Sequence, residues 1–502
     1  MTVTPVGTEV PWRRLSIRML AVHPVREVLR AWYLIFGVLF LGYRTGPEGG
    51  LWGLVSVAIV AGTGILRWFT TTYRVGADQV QVRRGLLRRE TLTVPRDRVR
   101  TVDITASPLH RVLGLAMVIV GTGRTDRKND GLRLDALTTD DAARLRVQLL
   151  DRSPVDAPPA EQVGPPVPEM VLTELRPGWL RYAPLSLSGL VTIGVVAGVL
   201  VRTANEANIR ISRLGPVQQA TEQLSKTAVW LAVTEVLLAF LVVVALFSTV
   251  GYVVAYFGFR VTRQPGGTLH IVRGLLTRRS ITLEERRLRG TEISQPLPLR
   301  LAGGARTLAI ATGLRVGRGA ERGGSLLLPP APRAEAERVA AAVLHDHEPV
   351  TVRLTGHGPR ARRRRYTRAL LVTALVVAGC VVLWRSAGWP GWTVVAALCL
   401  LPVAAALAQD RFRNLGHALT EGTLVLAQGS LVRRRYMLAR DGIIGWRLRQ
   451  SLFQRRAGVV TLEATTAGGR QRYGAPDLPV DLAVGLADAA VPGLLTPFLE
   501  PR

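Results

Sequence analysis

Six long apolar runs stand out from a chain that otherwise alternates apolar and polar residues. They are AWYLIFGVLFLGY at 31–43, LWGLVSVAIVAGTGILRWF at 51–69, YAPLSLSGLVTIGVVAGVLV at 182–201, a longer run at 228–257, ALLVTALVVAGCVVLW at 369–384 and WTVVAALCLLPVAAALAQ at 392–409. A helix needs about 20 mostly apolar residues to cross a bilayer, so the pattern predicts six transmembrane helices. RTGPEGG joins the first two runs, RSAGWPG joins the last two, and a longer link at 202–226 joins the middle pair. The helices are therefore expected as three hairpins. A hairpin returns the chain to the side it left, so the segments between hairpins share one face.

Those segments repeat. Set in register at Gly85, Gly274 and Gly429, the stretches RGLLRRETLTVPRDRVRTVDI, RGLLTRRSITLEERRLRGTEI and QGSLVRRRYMLARDGIIGWRL align without a gap. Val94, Leu283 and Leu438 coincide, as do Val99, Leu288 and Ile443, and then Ile104, Ile293 and Leu448. Arg111, Arg300 and Arg455 coincide, and Gly114, Gly303 and Gly458 close the block. Period-two alternation on both sides of each first glycine predicts a hairpin turning there. A further strand follows each closing glycine: LAMVIVGTG, ARTLAIATG and VVTLEATTAG. Each unit ends in a helix-like stretch. The first is TTDDAARLRVQLL, with Thr139 as its expected cap and Asp140 and Asp141 favouring its first turn. The others begin at Pro330 and in PDLPVDLAVGLADAAVPGLL. About six or seven short strands and one helix suit a bent sheet covered on one face. The expected fold class is membrane α plus β: three transmembrane hairpins, each followed by a β-barrel with a C-terminal helix.

The expected organisation follows. An N-terminal segment and hairpin occupy 1–69, and the first β-domain occupies 70–152. A proline-rich linker at 153–178 leads to the second hairpin at 179–257 and the second β-domain at 258–347. A basic linker at 348–368 leads to the third hairpin at 369–409 and the third β-domain at 410–502.

The third copy, IIGWRLRQSLFQRRAGVVTLEATTAGG, and the segment VHPVREVLR at Val22 resemble the bacterial pleckstrin-homology-like family once called membrane-flanked domains, in a three-copy arrangement. The second copy departs, with QPLPLRLAGG where the third has QSLFQRRAGV; the first has SPLHRVLGL. The resemblance implies PH-like barrels and a binding or assembly role, with a loose link to envelope defence. It implies no catalytic activity and no cofactor. It makes the basic residues beside the glycine hairpin candidate contacts for a phosphorylated headgroup or a partner: Arg88 and Arg89, Arg278 and Arg279, Arg433 and Arg434. Gln450, Ser451 and Arg455 are candidates in the following loop. The partners to expect are anionic lipid, a shorter single-module sibling, and copies in a homo- or hetero-oligomer.

Charge adds direction. Lysine plus arginine is 65 against 36 acids, for a net charge of +29, and Lys128 and Lys226 are the only lysines. The excess follows the membrane ends: Arg26 and Arg30, Arg260 and Arg263, RARRRRYTR at 360–368, and Arg411 and Arg413. That is the positive-inside signature, placing both termini and all three β-domains in the cytoplasm of a multi-pass cell-membrane protein. It argues against nucleic acid as the partner. Clusters beside a span also attract anionic lipid, by roughly 1 kcal/mol per basic residue near the surface.

Catalytic chemistry finds no foothold. There is no GxxxxGK[ST], HExxH or GxSxG, and the histidines, including His345 and His347, are scattered. Cys380 and Cys399 both lie in apolar runs, as buried thiols do. GVVAG at 194–198 fits small-residue helix packing, and Pro402 interrupts the sixth run. Glu235 is the only acid within the runs. It sits near one end, whereas transporters place ionisable groups near the midplane. A membrane scaffold is thus the first reading, and a component of a transport or peptide-export system the alternative.

Overall fold

A computed structural model of the chain describes residues 12–14, 16, 18, 69–76, 79–85, 89–96, 99, 101–121, 132–150, 169–185, 198, 229–312 and 326–495. The first expected hairpin, apart from its last residue, lies outside the described residues, as do Arg88, the 202–226 link and residues 153–168 of the expected linker. Contacts divide the chain into two compact units. One is Met1–Val171 with Val261–Glu284, and the other is Leu172–Arg260 with Glu285–Arg502.

The first unit opens with a four-stranded antiparallel sheet, β1 (Arg13–Arg14), β2 (Thr72–Val75), β3 (Gln79–Arg84) and β4 (Glu90–Pro95), in that order. β5 (Thr101–Ala106), β6 (Leu115–Gly121) and β7 (Leu132–Thr138) form a second antiparallel group, followed by the helix Thr139–Leu150. The two groups share one core. Val80, Val82 and Val94 from the first meet Val102, Val118, Val120, Leu132 and Leu134 from the second, and Ala142, Leu145 and Leu149 of the helix close it. Each is an every-other-residue position of its strand, as one buried face requires. The cap of that helix is Thr138 rather than Thr139. Thr138 Oγ1 accepts from Asp141 N at 3.1 Å, while Thr139 turns its own hydroxyl to the Gly114 carbonyl.

β5 does not pair with β4. Its partner is β11 (Arg278–Glu284), in the next repeat. The sheet therefore runs on as β7-β6-β5-β11-β10-β9, with β10 (Thr268–Arg273), β9 (Arg260–Gln264) and, at the far edge, β8 (Met170–Glu174). The glycine between β10 and β11 is obligatory. Gly274 has φ 105°, and a Cβ there would lie 2.1 Å from the Thr277 carbonyl oxygen.

The second unit repeats the device. β12 (Leu288–Pro296), β13 (Gly304–Ala311) and β14 (Leu326–Pro332) belong to the second repeat. β15 (Thr355–Gly356), β16 (Gly416–Leu419), β17 (Thr423–Gln428) and β18 (Val432–Ala439) belong to the third. β12 pairs with β18, giving one seven-stranded sheet in the order β14-β13-β12-β18-β17-β16-β15. β19 (Ile443–Arg449), β20 (Val459–Thr466) and β21 (Arg472–Pro479) make a separate three-stranded sheet. Leu424, Leu426, Tyr436 and Leu438 pack against Val460, Leu462, Tyr473 and Leu478, and the helix Val480–Ala490 covers them. The link carrying the shared arginine is in every copy a short helix: Pro108–Val112, Leu297–Leu301 and Leu452–Arg456.

Among the described residues three helices are long and apolar enough to cross a membrane: Leu237–Tyr256, Gly358–Ala387 and Trp392–Arg413. Much of their apolar surface is bare, Leu375 and Val372 being 65% and 62% exposed. The sequence placed the fifth span at 369–384, but the helix begins at Gly358 and absorbs most of the expected basic linker. The Trp392–Arg413 helix runs through Pro402. The third span was expected from Tyr182. Pro177–Leu185 is instead a 3-10 segment with Trp179, Tyr182 and Ala183 buried, and Ser248 donates to the Ala183 carbonyl. The remainder of that span lies almost wholly outside the described residues.

Candidate functional site

The two helices Gly358–Ala387 and Trp392–Arg413 run antiparallel, so the start of one and the end of the other lie together. Tyr366 Oη donates to Gln409 Oε1 at 3.0 Å across that end. The arginines of 360–365 are thereby carried on a helix and set against the third domain. Arg364 Nε and Arg365 Nη2 each lie 2.8 Å from the carboxylate of Asp477 on β21. Asp477 is 2% exposed and adopts φ 64°, a left-handed conformation that Asp tolerates better than most residues. Gln454 Nε2 donates to the same carboxylate at 3.0 Å. On the neighbouring helix Asp410 receives Arg433, and Arg300 Nη1 at 3.1 Å. Glu292, buried on β12, faces Arg434 and Arg470, each at 3.4 Å. Burial pushes the Glu292 carboxyl up, against the opposing pull of Arg470, Arg434 and Arg306.

Between these anchored side chains lies a cavity of about 300 Å³, lined by Arg365, Arg411 and Arg434 with Gln428, Val432 and Pro476. Among the described residues no carboxylate lines it. Arg365 and Arg434 are each held by an acid behind them, whereas no acid among the described residues reaches Arg411 within salt-bridge distance. Three guanidinium groups around one small polar cavity suit an oxyanion such as a phosphate group. Both helices that supply Arg365 and Arg411 turn apolar within a few residues. Behind the cavity His357 is buried. Its Nδ1 lies 2.9 Å from the Pro476 carbonyl, which only an N–H satisfies, so Nδ1 carries a proton. Burial lowers its pKa to about 4, although the Pro476 hydrogen bond opposes the shift.

The residues singled out in the sequence are spread over several roles. Arg89 and Arg278 are exposed at strand starts. Arg279 lies 2.6 Å from Asp103 across the β5–β11 junction. Arg433 binds Asp410, and Arg435 donates to the Pro349 and Val352 carbonyls at 2.9 Å each. Of the hairpin arginines, Arg434 is the one lining the cavity. Gln450 donates to the Val459 carbonyl at 3.1 Å. Ser451 closes a capping box with Gln454, and Arg455 is exposed. Sequence reasoning missed Asp410, Asp477, Glu292 and Arg411 as a set. Three isolated acids in an arginine-rich chain were the signal available, since a buried cation needs a partner. His345 and His347 join no metal cluster, and none exists among the described residues.

The bacterial PH domain family matches the chain three times, over residues 31–153, 226–347 and 368–490. These matches cover well over half of the chain, which therefore belongs to that family. No curated protein and no solved structure matches it.

Proposed function

We propose that this protein is a non-enzymatic membrane scaffold. Its PH-like domains, joined strand to strand and anchored by apolar hairpins, face the cytoplasm. The third domain holds the phosphate of an anionic lipid headgroup between Arg365, Arg411 and Arg434. The observation that carries the reading is the acid-free cavity at the paired ends of two apolar helices. The arginine excess at the span ends gives the cytoplasmic placement its support. A cavity of about 300 Å³ has room for a headgroup phosphate and lies at the small end of ligand-pocket volumes.

The test is native mass spectrometry of the detergent-purified protein with phosphatidylglycerol or phosphatidylcholine added. Retention of phosphatidylglycerol over phosphatidylcholine is expected. Arg411→Gln leaves the Asp410, Asp477 and Glu292 pairs in place, and it should weaken retention about tenfold, as loss of one charge-assisted hydrogen bond does. Equal retention of both lipids, or no effect of Arg411→Gln, refutes the site.

A further inference from the structure

Each repeat contributes one strand that starts its second sheet (β5, β12, β19) and one that ends its first (β4, β11, β18). Two junctions are made inside the chain, β5 with β11 and β12 with β18. That leaves β19 and β4, and each is the edge strand of its sheet. In the register set by Gly85, Gly274 and Gly429, the two junctions are alike position for position. Thr105 opposes Arg279 as Ser294 opposes Arg434, and Ile104 opposes Ser280 as Ile293 opposes Arg435. Each also carries one acid on the starting strand against one arginine on the ending strand: Asp103 with Arg279, and Glu292 with Arg434.

At the two open edges these charges are exchanged. Arg447 stands where Asp103 and Glu292 stand, and Glu90 stands where Arg279 and Arg434 stand. The edges also keep the features of a junction without its neighbour. Ile293 is 4% exposed, while its counterpart Leu448 is 43% exposed. Met437 and Thr282 are buried, while their counterpart Thr93 is exposed. Gly290 needs to be glycine because a Cβ would lie 2.0 Å from the Met437 carbonyl oxygen across the junction; its counterpart Gly445 has nothing within 4 Å. Arg111 and Arg300 reach across the junctions to the backbone carbonyls of Leu275 and Ser430.

We infer that β19 is a docking edge for β4 of a second copy of this chain, joined head to tail in the register of the internal junctions. Arg449 then opposes Glu90, Leu448 opposes Thr91, and Arg447 lies diagonal to Glu90, as Asp103 lies to Arg279. Arg447 leaves its own-sheet neighbour Glu463, which it meets at only 3.8 Å and half exposed. The exchanged charges also set the order. β19 against another copy's β11 or β18 would place Arg447 beside Arg279 or Arg434, and β4 against β5 or β12 would place Glu90 beside Asp103 or Glu292. Like charges thus exclude the wrong partners while the two arginines protect the edge from indiscriminate strand addition. A head-to-tail contact of this kind builds a ring or an open chain according to its rotation.

The experiment uses full-length protein in native membranes with Cys380→Ser and Cys399→Ser in every copy. Two differently tagged copies are co-expressed, one with Leu448→Cys and one with Thr91→Cys, and oxidised. A disulfide-linked pair carrying both tags is the expected result. Glu90→Arg in the Thr91→Cys copy should lower the yield at least tenfold. Arg447→Glu with Arg449→Glu in the other copy should restore it, which also shows that the altered chains fold. Absence of a link between the two copies overturns the inference, as does a link confined to a single chain carrying both cysteines. A yield indifferent to Glu90→Arg overturns it too.

Discussion

Asp477→Asn tests how the Gly358–Ala387 helix is fastened to the third domain. Asparagine has nearly the same shape as aspartate, tolerates the left-handed backbone that Asp477 adopts at φ 64°, and keeps an oxygen for Gln454. What it removes is the charge shared by Arg364 and Arg365, whose side chains are 10% and 9% exposed. Removing one partner of a buried ion pair costs roughly 3–5 kcal/mol. Here the two arginines approach at 2.8 Å, but their angles leave Arg364 Nε, Arg365 Nε and Asp477 Oδ2 without a hydrogen bond. The low end, about 3 kcal/mol, is therefore expected, which is about 150-fold in an opening equilibrium. Amide hydrogen exchange of the β20–β21 peptides reads that equilibrium, and should speed up by about that factor. Adding Arg364→Met and Arg365→Met to Asp477→Asn should recover most of the protection, because no buried charge then lacks a partner and asparagine still suits the left-handed backbone. Exchange unchanged in Asp477→Asn would show that the pair holds nothing together.

Two further outcomes are expected. Gly429→Ala places a Cβ 2.0 Å from the Val432 carbonyl oxygen at φ 103°, so the β17–β18 hairpin should lose about 1–3 kcal/mol in denaturant titration. His357 has a folded pKa of about 4 against an ordinary value of 6.5, so the unfolded chain takes up its proton first as pH falls. Its contribution is complete above pH 6.5 and is lost down to about pH 4. Between pH 6.5 and 5 that amounts to about 2 kcal/mol, and His357→Gln should flatten the pH dependence of the third domain's unfolding midpoint over that window.

Much of this architecture was legible in the sequence, for physical reasons. The shared glycines predicted the hairpins, because only glycine takes φ near 105° where the carbonyl three residues on blocks a Cβ. Alternation predicted the strands because each sheet buries one face. The apolar run at 228–257 predicted the helix Val229–Tyr256 within a residue. Strand partners were not legible. Nothing in local pattern distinguishes β5 beside β4 from β5 beside β11, because both choices bury the same residues. The arginine cluster was legible only in part. Arg364 and Arg365 read as topology signals or lipid contacts, and nothing local shows that an acid more than a hundred positions away pairs with both. The start of the third span at Tyr182 failed because Pro177 and Pro184 favour a tight segment that packs under the Val229–Tyr256 helix.

The strand pairing that joins one repeat to the next is tested most directly by a disulfide across its first junction. Ile104 and Ser280 oppose each other there. In chains with Cys380→Ser and Cys399→Ser, Ile104→Cys with Ser280→Cys should oxidise to a link within one chain, seen as a single cross-linked peptide pair by mass spectrometry. No such link, together with a link between Ile104→Cys and Thr91→Cys within one chain, would mean that each repeat closes its own sheet and that the repeats are independent domains on separate anchors.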